Sequence, residues 1–447
     1  MKKLLIVLTT LFAAVACTSI ENTSAEATSS AQSFVSADTS ADGYNHGQYA
    51  PYDSTQHSVG SVNIPNGFSP VYYENIGRHG ARAATSSSKI DSTISFYNAA
   101  KKANALKPSA ANFGSDLSRV KRAQSSVGSG NLSSVGASEW YNIGKRSVSA
   151  YPEFWEYADR SKGNVDFVAS SASRAKNSAT NFFRGSDSQS KSNGWDYNNT
   201  SRKTNDSQLR LSNSMSSSGQ REWDKINNSS ATTAAADQAL KHLYSDSYVN
   251  KMSRSSKVSA ARNLWETVAI APGLVSNGAV SLDQYLPESS ANQLAYVNDA
   301  VAFYKYGPGI SGSNTSFKKA VVVRDNFFRV VDNRLFEGGK SIATFRFSHG
   351  ETTMPFYGIL RLNPQATTSN VFTYASTQWS GNDEAKYATN LDWLVVAKGK
   401  PSKASGSVLV TMRVNERPTK FSAACAKYEV LPYWYDYAGL KKCVARS

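Results

Sequence analysis

Several features are scarce or missing in this 447-residue chain, and each excludes a class of protein. Beyond the N-terminus there is no second run of about 18 apolar residues, so no membrane-spanning helix is predicted there. His, Cys and Asp do not cluster at the spacing of a metal site, so we expect neither a metal nor another cofactor. There is no basic block with interleaved aromatic residues, which makes nucleic acid a poor candidate partner.

Acidic residues are also in deficit. The chain has 34 of them against 49 basic residues, which gives a net charge of +15 at pH 7. The excess charge is spread along the whole sequence and favours an anionic partner. An anionic cell surface and a polyphosphorylated small molecule are both compatible with it. The apolar content of 40% is ordinary for a globular protein with one large domain or two.

The N-terminus has the pattern of a targeting segment. Lys2 and Lys3 precede a short apolar stretch that ends at residue 16, as in a signal peptide. The small residues directly before Cys17 resemble a lipoprotein signal, in which this Cys is lipidated and tethers the protein to a membrane. They also fit ordinary cleavage, so a cell-envelope lipoprotein and a secreted or periplasmic protein both remain open. Residues 17–48, rich in Ser, Thr and Ala, predict a flexible tether.

The chain contains only three cysteines. If Cys17 belongs to N-terminal processing, Cys425 and Cys443 remain as a pair near the C-terminus. In an exported protein such a pair favours a disulfide, which would contribute about 3 kcal/mol to stability. The alternative is two free thiols.

Strand-like and helix-like segments alternate over much of the chain, which predicts an α/β fold with a doubly wound, mainly parallel sheet flanked by helices. Residues 49–188 and 336–447 are predicted to form the two parts of this domain. Between them, residues 189–335 lose the strand pattern and predict a smaller, mostly helical inserted domain. Two short strands, at 320–323 and 327–331, are expected at its exit.

Three predicted strands end in the same way, with a basic residue followed by the pattern of a helix. The first, residues 71–77, runs directly into Arg78 and His79, with Arg82 close behind. The second leads to Arg174 and the third to His349. Ligands of open α/β sheets bind outside the carboxyl ends of the strands, where helix N-termini direct backbone N–H groups at an anion.

If these three strand ends converge, they surround one tetrahedral anion. The guanidinium forks of Arg78, Arg82 and Arg174 suit phosphate oxygens, and His349 would add a further contact. His79 would lie beneath the anion as a nucleophile directed at phosphorus.

The sequence Arg-His-Gly-x-Arg at 78–82 resembles the signature of the histidine acid phosphatases, the acid phosphatase and phytase branch of the histidine phosphatase superfamily. The Pro that ends the family signature is Ala84 here. Most of the family carries His-Asp in its last motif, whereas His349-Gly350-Glu351-Thr352 is similar to the His-Ala-Glu-Thr of multiple inositol polyphosphate phosphatases. The likeness covers most of the chain from about residue 50 and is patchy between 186 and 260.

The resemblance implies a role for each residue of the constellation. His79 would form a phosphohistidine, and Glu351 would protonate the leaving group and then help to activate water. The phosphoryl oxygens would be bound by Arg78, Arg82, Arg174 and His349. Glu351 could instead serve only the dipole of the helix that it starts. Lys89 could bind a second phosphate of the substrate, or it could be a solvated loop lysine.

We therefore expect an exported, monomeric phosphomonoesterase that acts on inositol polyphosphates such as phytate. A broad-specificity acid phosphatase or a sugar-phosphate phosphatase of the same superfamily is the nearest alternative. A catalytically silent protein that binds an anionic surface is an alternative from a different class. The polyanionic substrate is the one small-molecule partner that the sequence favours.

Overall fold

The computed structural model describes residues 45–53, 61–360, 362, 365–401 and 406–445. The predicted signal peptide, Cys17 and most of the predicted tether lie outside these residues. All described residues fall within one compact unit, and the boundaries of the inserted domain stay a prediction. Within the described ranges, no helix combines the length and the apolar character needed to cross a membrane.

Strands and helices alternate along the first half of the chain, as predicted. The strands are β1 (Ser69–Arg78), β2 (Asn164–Ala169), β3 (Thr200–Thr204), β4 (Ser341–Ser348), β5 (Asn390–Ala397), β6 (Val408–Val414), β7 (Arg417–Pro418), β8 (Glu429–Leu431) and β9 (Trp434–Asp436). The helices are α1 (Ser88–Lys102), α2 (Phe113–Val127), α3 (Ser134–Ala150), α4 (Pro152–Ser161), α5 (Ser173–Ser192), α6 (Ser217–Asn227), α7 (Ser230–Leu243), α8 (Asp246–Asn250), α9 (Arg254–Ile270), α10 (Glu288–Tyr306), α11 (Val321–Phe336), α12 (Gly350–Leu360), α13 (Tyr374–Thr377), α14 (Gly381–Glu384) and α15 (Tyr437–Val444).

The strands form one mixed sheet in the order β3-β2-β4-β1-β5-β6-β9-β8, with β7 paired to β6. Strands β3, β2, β4 and β1 are parallel to one another, and from β5 onward the pairing is antiparallel. The predicted α/β class is confirmed. The strands that end in the basic residues, β1, β2 and β4, all belong to the parallel part of the sheet. The antiparallel strands, from β5 to β9, extend the sheet beyond β1.

Helices cover both faces of the sheet. Tyr73 of β1 packs with Trp155 and Phe345 on the face covered by α3, α4 and α5. Its neighbour Tyr72 points to the opposite face, where it packs with Phe327 under α11 and α12. The alternation follows from the period of two in a strand. Burying a side chain such as Phe345 contributes roughly 1.5–3 kcal/mol, so the two faces fix β1 and its end firmly.

The strands predicted at 320–323 and 327–331 are wrong, because Ala320 ends a short 3-10 turn and the other residues belong to helix α11. The buried residues Val323, Phe327, Val331 and Leu335 recur every four positions, which places them on one face of a helix. The β-branched residues suggested strands locally, but packing against the sheet favours the helix.

Helix α5 passes through Gly185 and runs to Ser192. Gly185 allows α5 to lie directly against α3, since a Cβ there would be only 1.9 Å from the carbonyl oxygen of Tyr141. This close packing holds the helix whose first turn carries Arg174.

The predicted tether ends earlier than residue 48. Asn45, His46 and Gly47 are buried against the helical part of the molecule. His46 Nε2 lies 2.9 Å from Asp283 Oδ1, and the Trp265 indole N–H donates to the Asn45 carbonyl at 3.3 Å. These contacts fix the segment that leads to the site described below.

The predicted disulfide is confirmed. Cys425 and Cys443 are bonded, with their Cα atoms 5.8 Å apart, and the bond joins α15 to the short turn before β8. The disulfide thus lies beside β8, the edge strand at the end of the sheet far from β3.

Candidate active site

The ends of three parallel strands lie side by side. The register of β1 on β4 pairs Arg78 with Ser348, so His79 and His349 directly follow adjacent strand ends. On the other side of β4, the register pairs Ala169, the last residue of β2, with Phe347. Arg174 lies in the first turn of α5, the helix that follows β2. The structure therefore brings together side chains that are up to 271 residues apart in the sequence; we call the group of Arg78, His79, Arg82, Arg174 and His349 the cradle.

His79 is buried, and its imidazole has a defined orientation. Its Nδ1 lies 2.9 Å from the carbonyl oxygen of Gly80, so Nδ1–H donates and Nε2 carries the lone pair. Its ring centroid is 5.3 Å from that of His349. Burial, followed by the charges of Arg78 and Arg174, holds the pKa of His79 well below its usual range. The imidazole is therefore neutral, as a nucleophile must be.

The three arginines of the cradle have unmet hydrogen-bond donors. The Nε–H groups of Arg78, Arg82 and Arg174 are all buried without a hydrogen-bond partner among the described residues. Leaving a buried donor unpaired costs about 1–3 kcal/mol, and more when it is charged. Three such donors around one imidazole indicate that an anion completes the site.

Arg78 is held in place from several sides. Its Nη1 donates to the carbonyl oxygen of Gln48 at 2.6 Å and to that of Ala385. Its guanidinium carbon lies 4.6 Å from the centre of the Tyr387 ring. Burial, with Arg82 nearby, lowers its pKa from the usual value. The guanidinium is thus oriented before any ligand binds.

Arg174, His349 and Ser170 form a chain of hydrogen bonds. Arg174 Nη2 donates to His349 Nδ1 at 3.1 Å, so His349 is neutral and its Nε2–H donates to Ser170 Oγ at 2.8 Å. Burial, followed by Arg174 and Arg210, lowers the pKa of His349 to about 3. Burial and the charge of Arg82 lower the pKa of Arg174 to about 10. The site disfavours additional positive charge and is ready for a negative one.

Glu351 lies in the first turn of α12, half-buried at the edge of the cradle. Its negative charge partly opposes the lowering of the pKa of Arg78 and Arg174 by burial, which places the carboxylate within electrostatic reach of both guanidiniums. An acid in the first helical turn also suits the helix dipole, so the structural role considered above and an acid–base role are compatible.

Glu139 is a residue of the site that the sequence did not reveal. It is buried on α3 and accepts the backbone N–H of Ala81 at 2.7 Å and that of Tyr52 at 2.8 Å. Burial raises its pKa to about 7. A Cβ on Gly80 would lie 2.4 Å from the Gly136 carbonyl oxygen, so only glycine lets the loop after β1 lie against α3. By accepting the backbone N–H of Ala81, Glu139 holds this loop in place.

Two further cations differ in their relation to the cradle. Arg210 lies in a Ser-rich segment that carries no motif. It acts to lower the pKa of both Arg174 and His349, which places its charge near them. Lys89 is exposed on the first turn of α1 and lines a separate cavity of about 250 Å³.

Within the described residues, no group of three or more His, Cys, Asp or Glu is arranged to hold a metal ion.

Known proteins share both the sequence pattern and the fold. The family model of the histidine phosphatase superfamily (branch 2) matches residues 75–393. Among solved structures, the multiple inositol polyphosphate phosphatase of Bifidobacterium longum in complex with inositol hexasulfate superposes with a TM-score of 0.77 at 22% identity, covering 89% of this chain and 97% of that one. The phytase of D. castellii gives a TM-score of 0.63 at 14% identity, covering 93% and 88%. No curated protein matches by sequence.

At these identities the solved structures establish the fold, and the family model establishes membership because it spans well over half of the chain. The resemblance inferred from the Arg-His-Gly-x-Arg motif is thus confirmed. The chain belongs to branch 2 of the histidine phosphatase superfamily and is a phosphoric monoester hydrolase.

Proposed function

We propose that the protein hydrolyses inositol polyphosphates, phytate in particular, through a phosphohistidine on His79. The observation that carries this proposal is the set of three buried, unpaired Nε–H donors around that imidazole. A phosphoryl group has the charge and the number of oxygens to satisfy them.

In the first step, Nε2 of His79 attacks phosphorus in line with the leaving oxygen. The N–P bond forms as the P–O bond to the inositol breaks, and Glu351 gives its proton to the departing alkoxide. Arg78, Arg82 and Arg174 neutralise the charge on the equatorial oxygens in the transition state. The Gly80 carbonyl, 2.9 Å from Nδ1, stabilises the positive charge on the phosphorylated ring.

In the second step, the carboxylate of Glu351 takes a proton from a water molecule, whose oxygen attacks phosphorus. The N–P bond breaks, inorganic phosphate leaves, and both His79 and Glu351 return to their starting states. No other reactant is needed for the two steps to balance.

A polyphosphorylated substrate is favoured by charge beyond the cradle. The net charge of the chain is +15, and Arg210 adds a cation next to Arg174 and His349. Such an excess attracts a dense polyanion more strongly than a simple monoester. The relative from Bifidobacterium longum was solved with inositol hexasulfate, a sulfate analogue of this class of compound.

The test is to incubate the purified protein with inositol hexakisphosphate, with a chelator and without added metal, and to measure phosphate release. The matched control is His242→Ala, a half-exposed histidine on α7. Wild type and this control should release phosphate, whereas His79→Ala should not. If only small monoesters or sugar phosphates are cleaved, the substrate assignment fails and the phosphatase assignment stands. Binding to anionic surfaces without turnover would favour the silent alternative.

We also propose that the protein is exported, on the basis of the sequence before Cys17. Mass spectrometry of the mature N-terminus distinguishes the two outcomes that the sequence leaves open. A diacylglyceryl group on Cys17 would identify a membrane-tethered lipoprotein, and an unmodified N-terminus a secreted or periplasmic protein. An uncleaved N-terminus would contradict export.

A further inference from the structure

One acid outside the cradle is buried without a cation beside it. Asp299 lies in the middle of α10 and has no exposed surface. Burial raises its pKa to about 7, and the groups that act against this are hydrogen-bond donors, the Gly381 N–H and Tyr374. Aspartates are almost never fully buried unless they are paired, because taking the carboxyl out of water is costly. Asp299 therefore calls for an explanation other than packing.

The carboxyl of Asp299 lies between two glycines that belong to different segments of the chain. A Cβ on Gly381 would be 2.1 Å from Asp299 Oδ1, and a Cβ on Gly47 would be 3.0 Å from the same atom. Gly47 also has a φ of +54°, which favours glycine. Both backbone segments thus lie directly against this carboxyl.

A hydrogen bond connects Asp299 to the start of α14. Its Oδ2 accepts the backbone N–H of Gly381 at 2.9 Å and the hydroxyl of Tyr374 at 3.0 Å. Gly381 is the first residue of α14, and its carbonyl oxygen accepts the N–H of Ala385 at 3.1 Å. One helical turn therefore separates the carboxyl of Asp299 from the carbonyl of Ala385.

The second segment is the 3-10 turn Gly47–Tyr49. Its first N–H, that of Gly47, donates to Asn45 Oδ1 at 2.7 Å. The carbonyl oxygen of Ala50, directly after the turn, accepts the N–H of Tyr387 at 3.1 Å. The turn is thus fixed at both ends, and Asp299 bounds it from the side of α10.

The two segments meet again at Arg78. Gln48 directly follows Gly47, and Ala385 directly follows α14. The carbonyl oxygens of Gln48 and Ala385 are the two acceptors of Arg78 Nη1. A single buried carboxyl therefore lies behind both of the acceptors that orient this guanidinium.

We propose that Asp299 is a positioning residue for the phosphatase reaction, which acts through Arg78 and touches no substrate. It holds the Gln48 and Ala385 carbonyls at the spacing that directs the Arg78 guanidinium into the cradle. The inference rests on the proposed role of Arg78 as a ligand of the phosphoryl oxygens. It explains why an acid is kept in the interior of α10, where an apolar residue would stabilise the fold more.

The test begins with kcat/KM for p-nitrophenyl phosphate in Asp299→Ala and Asp299→Asn. The first variant removes the acceptor of the Gly381 N–H and leaves space between the two glycines. It should lower kcat/KM about 10–100-fold, the cost of misplacing a binding group by about 1 Å. Asn keeps an acceptor oxygen and the shape of a protonated carboxyl, so Asp299→Asn should remain close to wild type below pH 7.

The matched control is Asp436→Ala. Asp436 is also buried and accepts two backbone N–H groups, those of Gly406 at 2.6 Å and Gly439 at 2.7 Å. It lies in β9, on the part of the sheet remote from the cradle. Urea unfolding should show a loss of stability in both alanine variants, whereas kcat/KM should fall only in Asp299→Ala.

A double-mutant cycle with Arg78→Gln separates positioning from general damage. Substitutions that act through one contact are not additive, whereas independent ones multiply their effects on the rate. In the Arg78→Gln background, Asp299→Ala should therefore cause no further loss of kcat/KM. The dissociation constant of inorganic phosphate, measured by calorimetry, should give the same cycle.

A second variant covers the case that Asp299→Ala does not fold. Gly47→Ala places a methyl group against Asp299 and displaces the Gln48 carbonyl. It should lower kcat/KM in the wild-type background and cause no further loss in Arg78→Gln.

Multiplicative losses in the cycle, wild-type activity of Asp299→Ala, or an equal loss in Asp299→Asn would each overturn the positioning role and leave the proposed function intact. Wild-type activity of Arg78→Gln alone would instead refute the role of Arg78, and the positioning role with it.

Discussion

Arg174 donates a hydrogen bond to Nδ1 of His349 across 175 residues of sequence, at 3.1 Å. This bond joins the helix that follows β2 to the end of β4, so the two strand ends act as one site. It also fixes the tautomer of His349, which leaves Nε2–H to donate to Ser170. An incoming phosphoryl group would meet a neutral imidazole and a correctly oriented guanidinium.

Replacing Glu351 by Gln separates the two chemical steps. A good leaving group such as p-nitrophenolate needs no proton, so formation of the phosphoenzyme from p-nitrophenyl phosphate should be nearly unaffected. Steady-state turnover of inositol hexakisphosphate should fall by about 10²–10⁴, the usual range for loss of a general acid–base. Stopped-flow measurement of p-nitrophenolate should show a burst. Unchanged turnover of the inositol substrate would assign Glu351 to the helix dipole alone.

Inorganic phosphate should stabilise the folded protein, because it pairs with the three buried Nε–H donors. At ten times its dissociation constant, a ligand that binds only the folded state adds about 1.4 kcal/mol. Thermal unfolding in phosphate and in chloride of equal ionic strength measures the effect. The shift should be much smaller in Arg174→Gln. An equal shift in that variant would place the anion elsewhere.

Three buried carboxyl groups should make stability fall as pH rises. Burial raises the pKa of Glu139, Asp299 and Glu384 to about 7, above their usual values of 4.5, 3.8 and 4.5. Between about pH 4.5 and 7 the folded protein therefore holds more protons than the unfolded chain, and the free energy of unfolding decreases across this window. Each pKa unit corresponds to about 1.4 kcal/mol.

Urea unfolding at pH 5 and pH 7.5 measures this dependence. Asp299→Asn, which keeps the shape and removes the titration, should flatten the slope. Stability that rises with pH over this window would contradict the assignment of these groups as protonated on folding.

The strand ends of the cradle could be predicted from the sequence because their signals are local. The apolar run of β1 leads directly into Arg78 and His79, and parallel strands place their carboxyl ends along one edge of a sheet. The same reasoning applied to β4 gave His349. The α/β class followed from the alternation of strand and helix patterns.

The remaining parts of the site depend on tertiary packing. Glu139 follows no motif, and a Glu within a helix pattern ordinarily predicts an exposed position, yet here it is buried against backbone N–H groups. Arg210 lies in a Ser-rich segment without periodicity. In α11 the β-branched residues favour a strand locally, but the segment forms a helix because its apolar face packs against the sheet. None of these outcomes is encoded within a short window of sequence.

His79 as the covalent nucleophile is tested most directly by trapping the phosphoenzyme. Glu351→Gln is mixed with p-nitrophenyl phosphate, quenched rapidly, kept at alkaline pH to preserve a phosphoramidate, and digested for mass spectrometry. One phosphoryl group per chain on His79 is expected, and none in His79→Ala. Phosphate on another residue, or turnover in His79→Ala at the wild-type rate, would contradict the mechanism.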